Sequence, residues 1–342
     1  MQDAELFAPL AYPMYIEPND WTNDRKGGYL LNEVMRGHHL VRQGEVGIVQ
    51  GELPLRFLNK IQKVGYRVNP FIYGIANELL QKGIKVGKFI PIEEIPMPVK
   101  PWDIATNKER KKTYCRETAE AKNKQALVYQ ASCRTRKQME AARLFIDRER
   151  FFVPWNYDWR GRCYPIPAYL TVQDTDFGKS LLTFSDAAEV TEESKKWIEF
   201  QVATTYGLDK ATIQERWEWA KNNHSLITRI ATDPLGNLSE WEGVEEPWQF
   251  VSACDEMYHC IIKGDRKKTR LMIAIDATCS GLQILAGLAR DKSTAQLVNV
   301  VPAETPQDAY KVVADKSKPN IPLVLHDVWA VSYTHLTLPT KA

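Results

Sequence analysis

The sequence predicts an α+β fold in which helix predominates, and three observations carry that reading. From Lys108 to Arg150 there is neither glycine nor proline, and Ala, Lys, Glu, Gln and Arg dominate, all residues that lose little in a helix. Residues 151–183 are instead aromatic and β-rich, with turns at Pro154, Gly161 and Pro165. Arg270 to Asp276 (RLMIAID) is an apolar run of strand length ending in an acid, and after a turn of small residues comes the helical pattern LQILAGLAR.

Taken in order, the first fifty residues are broken by Pro9, Pro13, Pro18, Gly27, Gly28, Gly37, Gly44, Gly47 and Gly51, and read as irregular chain. One helical stretch is expected from Pro54 to Lys82, with Leu55, Leu58, Ile61, Ile72, Ile75 and Leu79 as apolar positions and Gly83 and Gly87 ending it. Ile90 to Pro101 should be extended, because proline disfavours helix in the residue before it. A long, exposed, basic helix follows to Arg150. Two helices are expected between Thr191 and Ile230, the first starting at Thr191 with Glu192, Glu193 and Ser194, the second closed by Pro234, Gly236 and Asn237. A short helix should run from Pro247 to Ile262. Beyond Asp276, Ser280 is the expected N-cap, and Leu282, Leu285, Ala286 and Ala289 the inward stripe.

Composition sets bounds on function. With 342 residues, 44% hydrophobic and 26% charged, the chain has room for two or three modules. No apolar run reaches the roughly 20 residues of a membrane helix, and MQDAELFAPL has no basic-then-apolar leader pattern. Six cysteines include no CxxC pair. Cys254 and Cys260 flank His259, but that spacing is looser than structural zinc usually shows, and reduced thiols are the expectation. The net charge is +2, unevenly spread: residues 108–150 hold 13 basic and six acidic side chains, so the rest is net negative. That basic stretch fits either a polyanion surface or a solvated helical face.

Asp276 is the first candidate for chemistry. A strand that ends in a carboxylate before a turn and a helix holds hard oxygen where a divalent cation could use it, and two-metal phosphoryl transfer needs one carboxylate that bridges both ions. On spacing alone, a turn cap or an ion-pair partner fits Asp276 equally well.

Two motifs make a resemblance specific. IDATCSGLQILAGLARD, Ile275 to Asp291, resembles motif A of the single-subunit RNA polymerases of phages, mitochondria and chloroplasts, whose usual pattern is DGSCSGLQH. FFVPWNYDWRGRCYPIP, Phe151 to Pro167, resembles that family's DxxGR motif through Asp158, Arg160 and Arg162. Segments at Trp21 (DWTNDRKGGYL), Trp197, Asn223 and Val301 are similar to family segments in the same order. Thr305-Pro306-Gln307-Asp308 reads as N-cap, first-turn proline and early acid.

The resemblance implies a partial right-hand polymerase, with thumb helices and an incomplete palm sheet. Residues 1–53 would end an N-terminal domain, 54–150 form a thumb-like region and 151–185 palm. Residues 186–263 would be a helical palm insertion, 264–317 motif A and the start of the fingers, and 318–342 a non-native tail. It implies template-dependent RNA synthesis with magnesium as cofactor, and DNA template, RNA transcript and NTPs as partners, in a cytoplasmic monomer without membrane association. Asp276 would be the catalytic metal ligand, joined by the backbone carbonyl of Ala277, which stands where the family has glycine. Asp158, Arg160 and Arg162 would contact nucleic acid, with both arginines on one face if the segment is extended. Ser280, Gly281 and Gln283 would line the substrate, Gly281 leaving room for a ribose 2′-OH. A glycine there also suits a turn needing positive φ. Ile284 replaces a common histidine.

The family's motif B and motif C are expected beyond this stretch. His326-Asp327 mimics motif C but follows Asp276 too closely for a fingers domain, and VSYTHLTLPTKA at the end has the look of adapter-derived sequence. The chain is therefore expected to be a fragment that makes no RNA alone. Two other readings compete. A family A DNA polymerase would carry a bulky glutamate where Gly281 stands. A non-catalytic nucleic-acid-binding remnant would bind through basic residues such as those near Arg134.

Overall fold

The computed structural model describes residues 11–24, 26–31, 38–42, 51–209, 211–275, 279–302 and 307–317. It is α+β, with small antiparallel sheets among many helices, and divides into two compact units, 1–208 with 217–273, and 209–216 with 274–342.

In the first unit the single helix expected over Pro54–Lys82 is two, α1 (Glu52–Ile61) and α2 (Pro70–Lys82), with strand β1 (Gly65–Val68) between them. The reason is partly long-range. A Cβ on Gly65 would run into Ser185 and Arg150, so the glycine admits neighbours from far along the chain. Asn69 then restarts the helix, its side chain accepting from the Phe71 and Ile72 amides, with Pro70 at the first helical position. Gly83, at φ +67°, closes α2.

Residues 90–101 form neither helix nor strand, as expected. They are pinned along α3 (Lys108–Phe145), where the Ile90 amide donates to Thr135 Oγ1 at 3.0 Å and the Ile95 amide to Gln125 Oε1 at 2.7 Å. The helix stops at Phe145, not Arg150, and its burial is lopsided. Ser132, Thr135, Gln138, Met139, Ala141, Ala142 and Phe145 are buried, but in the N-terminal half only Ala121 is.

β2 (Phe151–Phe152) pairs with β1 antiparallel, and β3 (Trp155–Tyr157) with β4 (Cys163–Pro165) as a hairpin. After α4 (Asp176–Ser180), β5 (Leu182–Phe184) takes the other side of β1, giving the order β2-β1-β5. β6 (Ala188–Glu189) leads to α5 (Glu192–Tyr206), which starts with the Thr191–Ser194 capping box. Two more helices follow where one was expected, α6 (Ile213–Asn222) and α7 (His224–Thr232).

The core is built around α8 (Pro247–Met257). Its Trp248 packs at 4.7–5.7 Å, ring to ring, against Phe89, Phe177 and Trp241. The Asp176 carboxylate receives the Trp248 and Gln249 amides at the start of α8, and burial pushes its pKa up. A π-helical turn, Tyr258–Ile262, continues α8 and precedes β7 (Lys268–Thr269), which pairs with β6.

The strand expected over Arg270–Asp276 is not formed across Arg270–Ile275. An apolar run becomes a strand only where neighbours accept its backbone groups. β6 is two residues long, so its ladder with β7 ends at Thr269. One main-chain bond continues past it, from the Phe184 amide to the Arg270 carbonyl at 3.1 Å.

The second unit holds α9 (Ser280–Ala289), α10 (Lys292–Leu297) and α11 (Ala309–Ser317) around a small cluster of Cys279, Ala286, Ala295, Val298 and Ala309. Ser280 is the first residue of α9 and not its N-cap. Cys279 holds the cap position without a side-chain bond. Of the expected inward stripe only Ala286 is buried, while Leu282, Leu285 and Ala289 are exposed. Because α9 is apolar all round, its pattern cannot select a face, and small Ala286 with hydrogen-bonded Gln283 meets the neighbours instead. Asp308 caps α11, accepting from the Tyr310 and Lys311 amides at 3.1 Å. Thr305 and Pro306 of the expected cap lie outside the described residues, as do His326 and Asp327.

Candidate nucleic-acid interface

β3 and β4 pair Trp155 with Pro165, Asn156 with Tyr164 and Tyr157 with Cys163, which leaves Asp158 to Arg162 as the connecting loop. Buried Asp158 organises it. Its Oδ1 accepts the amides of Arg160 at 2.9 Å and Arg162 at 2.8 Å, and its Oδ2 accepts Arg160 Nε at 2.9 Å. The Asp158 amide donates to the Arg162 carbonyl at 2.8 Å. Gly161 sits at φ +81°, where a glycine is favoured. Burial alone would raise the Asp158 pKa, but the bonds from Arg162 and Arg160 outweigh it and hold the carboxyl below its usual range.

The expectation of two arginines on one face of an extended segment is corrected by this turn. Arg160 folds back onto Asp158 and lies 5.7 Å from the ring centroid of Trp159, which is 76% exposed. Arg162 is exposed, and among the described residues its side chain makes no hydrogen bond or ion pair. The loop thus offers one braced guanidinium, one free guanidinium and an open indole.

Sequence reasoning missed the support beneath the loop. Arg42 donates through Nε to Asn156 Oδ1 at 2.7 Å and through Nη2 to the Pro165 carbonyl at 2.6 Å, and lies 5.1 Å from the Tyr164 ring centroid. Its amide donates to the Tyr157 carbonyl at 2.7 Å. Trp21, fully buried, donates Nε1 to the Trp155 carbonyl at 2.8 Å. Only the GGYL signal beside Trp21 hinted at this. Arg134 is not a free cation, because Asp174 accepts from its Nε at 3.0 Å.

In the second unit, Asp276 and Ala277 lie outside the described residues. Ser280 is exposed, and Gln283 Nε2 donates to the Val298 carbonyl at 2.8 Å. Gly281 is helical, without the positive φ that a turn role would need, and a Cβ there would meet nothing within 4 Å. Neither backbone nor packing among the described residues demands a glycine. Among those residues no group of three His, Cys, Asp or Glu is placed to hold a metal, and no helix is long and apolar enough to cross a membrane.

Residues 188–327 match the DNA-dependent RNA polymerase family. The chain is 31% identical over 316 residues to the mitochondrial DNA-directed RNA polymerase of Neurospora crassa, covering 88% of this chain and 22% of that protein. It is 28% identical over 323 residues to T7 RNA polymerase of Escherichia phage T7, covering 90% and 35%. To DNA-directed RNA polymerase 1, mitochondrial, of Arabidopsis thaliana it is 27% identical over 312 residues, covering 88% and 32%. The chain is thus similar to phage-type RNA polymerases over most of its length. It spans between about a fifth and a third of the length of those relatives. The residues matched to that family take in the whole run from Asp276 to Gln283.

Proposed function

We propose that the chain takes part in template-dependent RNA synthesis from NTPs on DNA, by nucleotidyl transfer. The observation that carries this reading is the Asp158-braced loop, with the Arg162 guanidinium exposed and unpaired among the described residues, in a chain similar to RNA polymerases along most of its length. Arg160 and Arg162 bind phosphate oxygens of the RNA–DNA hybrid, for which planar guanidinium forks are well suited. Residues 54–150 serve as thumb, 151–185 as palm, 186–263 as its helical insertion, and 264–317 as motif A and the start of the fingers.

Asp276 and the Ala277 carbonyl are the groups that would hold magnesium. Both are hard oxygen donors, the chemistry this ion takes when water and substrate phosphates complete its shell. Magnesium bound there supplies charge neutralisation at the triphosphate and a more acidic attacking hydroxyl. Gly281 leaves space for the ribose 2′-OH, consistent with the open volume around its Cα. Ser280 and Gln283 flank the incoming nucleotide, Gln283 with a second N–H and an oxygen that have no partner among the described residues. The setting we assign is cytoplasmic, for a monomer that engages DNA, RNA and NTPs.

Fluorescence anisotropy with a labelled RNA–DNA hybrid tests the interface. Salt-sensitive binding that falls when Arg160 and Arg162 are both changed to alanine is expected; unchanged binding would remove the reading.

A further inference from the structure

Trp102 is the most exposed aromatic side chain among the described residues, at 90%. The chain around it is built in place. It lies in a turn over 102–106, between the extended segment pinned on α3 and the start of that helix. Asp103 closes the turn, its carbonyl accepting the amides of Thr106 at 3.0 Å and Asn107 at 2.9 Å. Its carboxylate accepts from Arg110 Nη1 at 3.1 Å, and Asn107 caps α3 by accepting the Arg110 amide.

A side chain of this size stabilises a fold when it is buried. Here the turn is fixed by its own polar bonds, and the indole meets no aromatic or cationic partner among the described residues. Its surroundings are cationic. Lys100 precedes it, and Lys108, Lys111 and Lys112 follow on the first turns of α3, all exposed and without an ion pair among the described residues. An open indole flanked by free lysines matches what unpaired nucleic acid presents, a flat base on a chain of phosphates. An acidic peptide would use the lysines and leave the indole idle.

We propose that Trp102 is a stacking platform for an unpaired nucleobase, with Lys100, Lys108, Lys111 and Lys112 holding the adjoining phosphates. The inference rests on the polymerase reading for the presence of single strands, but not on Asp276 or on catalysis.

The test is anisotropy with the full chain, without NTPs or magnesium. The probes are labelled oligo(rU), oligo(dT), the same oligonucleotides with central abasic sites, and a blunt duplex of equal length. Trp102→Ala should weaken single-strand binding by about five- to a hundredfold, as loss of one base–aromatic stack does. Trp102→Phe should keep most of the affinity, and abasic strands should bind wild type and Trp102→Ala alike. The strand type with the larger dependence assigns the site to transcript or to template, and either upholds it. Equal single-strand affinity of Trp102→Ala and wild type, or an equal loss on the duplex, would overturn it. Failure of the polymerase reading would show elsewhere, as RNA synthesis indifferent to Asp276, and would leave these binding results standing.

Discussion

The carboxylate of Asp158 accepts the main-chain N–H of Arg162 at 2.8 Å, and so orders the backbone beneath a guanidinium that it does not neutralise. Its ion pair goes to Arg160 instead, at 2.9 Å. One acid thus shapes the loop and leaves the second cation available.

Asp158→Ala should therefore cost stability as well as binding. Charge-assisted hydrogen bonds of this kind contribute on the order of 1.5–3 kcal/mol, so the expected loss is about 2 kcal/mol, measured by urea denaturation. Hybrid binding should fall in parallel, because the Arg162 backbone loses its anchor.

The same carboxyl gives a pH dependence. Its folded-state pKa is depressed, so its contribution is present above the unfolded carboxylate value of about 3.9 and is lost as pH falls through the lower folded value. Wild type minus Asp158→Asn should show a Tm difference that is constant near neutrality and shrinks below about pH 4. A difference that grows on acidification would contradict the assignment.

Arg162→Gln should separate binding from folding. The side chain has no partner among the described residues, so the urea midpoint should stay unchanged. Affinity for an RNA–DNA hybrid should drop several-fold, and the salt slope should fall by about one phosphate contact.

Gly281→Glu tests sugar selection. Among the described residues the added Cβ meets open space, and an acidic side chain suits the first turn of a helix, so α9 should be no less stable. In the protein that carries this chain, use of NTPs relative to dNTPs should fall at least tenfold. An unchanged ratio would show that Gly281 does not lie at the ribose.

Which parts were legible in the sequence follows from where their causes lie. Capping at Thr191, the turn at Gly161 and the start of the long helix at Lys108 have local causes, and each forms where the residues placed it. Strand β1 has a distant cause, contact with residues 150 and 185, and was hidden inside an apparent helix. The inward face of α9 was hidden because every face of it is apolar. Arg42 supports the loop from 114 positions away, and no local pattern announces such a contact. Arg270–Ile275 carries a strand pattern, yet strands need neighbours, and the described chain provides only two residues of β6.

We propose that Asp276 holds the metal for RNA synthesis. The most direct measurement is magnesium-dependent extension of an RNA primer on a DNA template, by the protein that carries this chain, wild type against Asp276→Asn. The account predicts a loss of at least a thousandfold with hybrid binding retained. Extension by Asp276→Asn at the wild-type rate would contradict it.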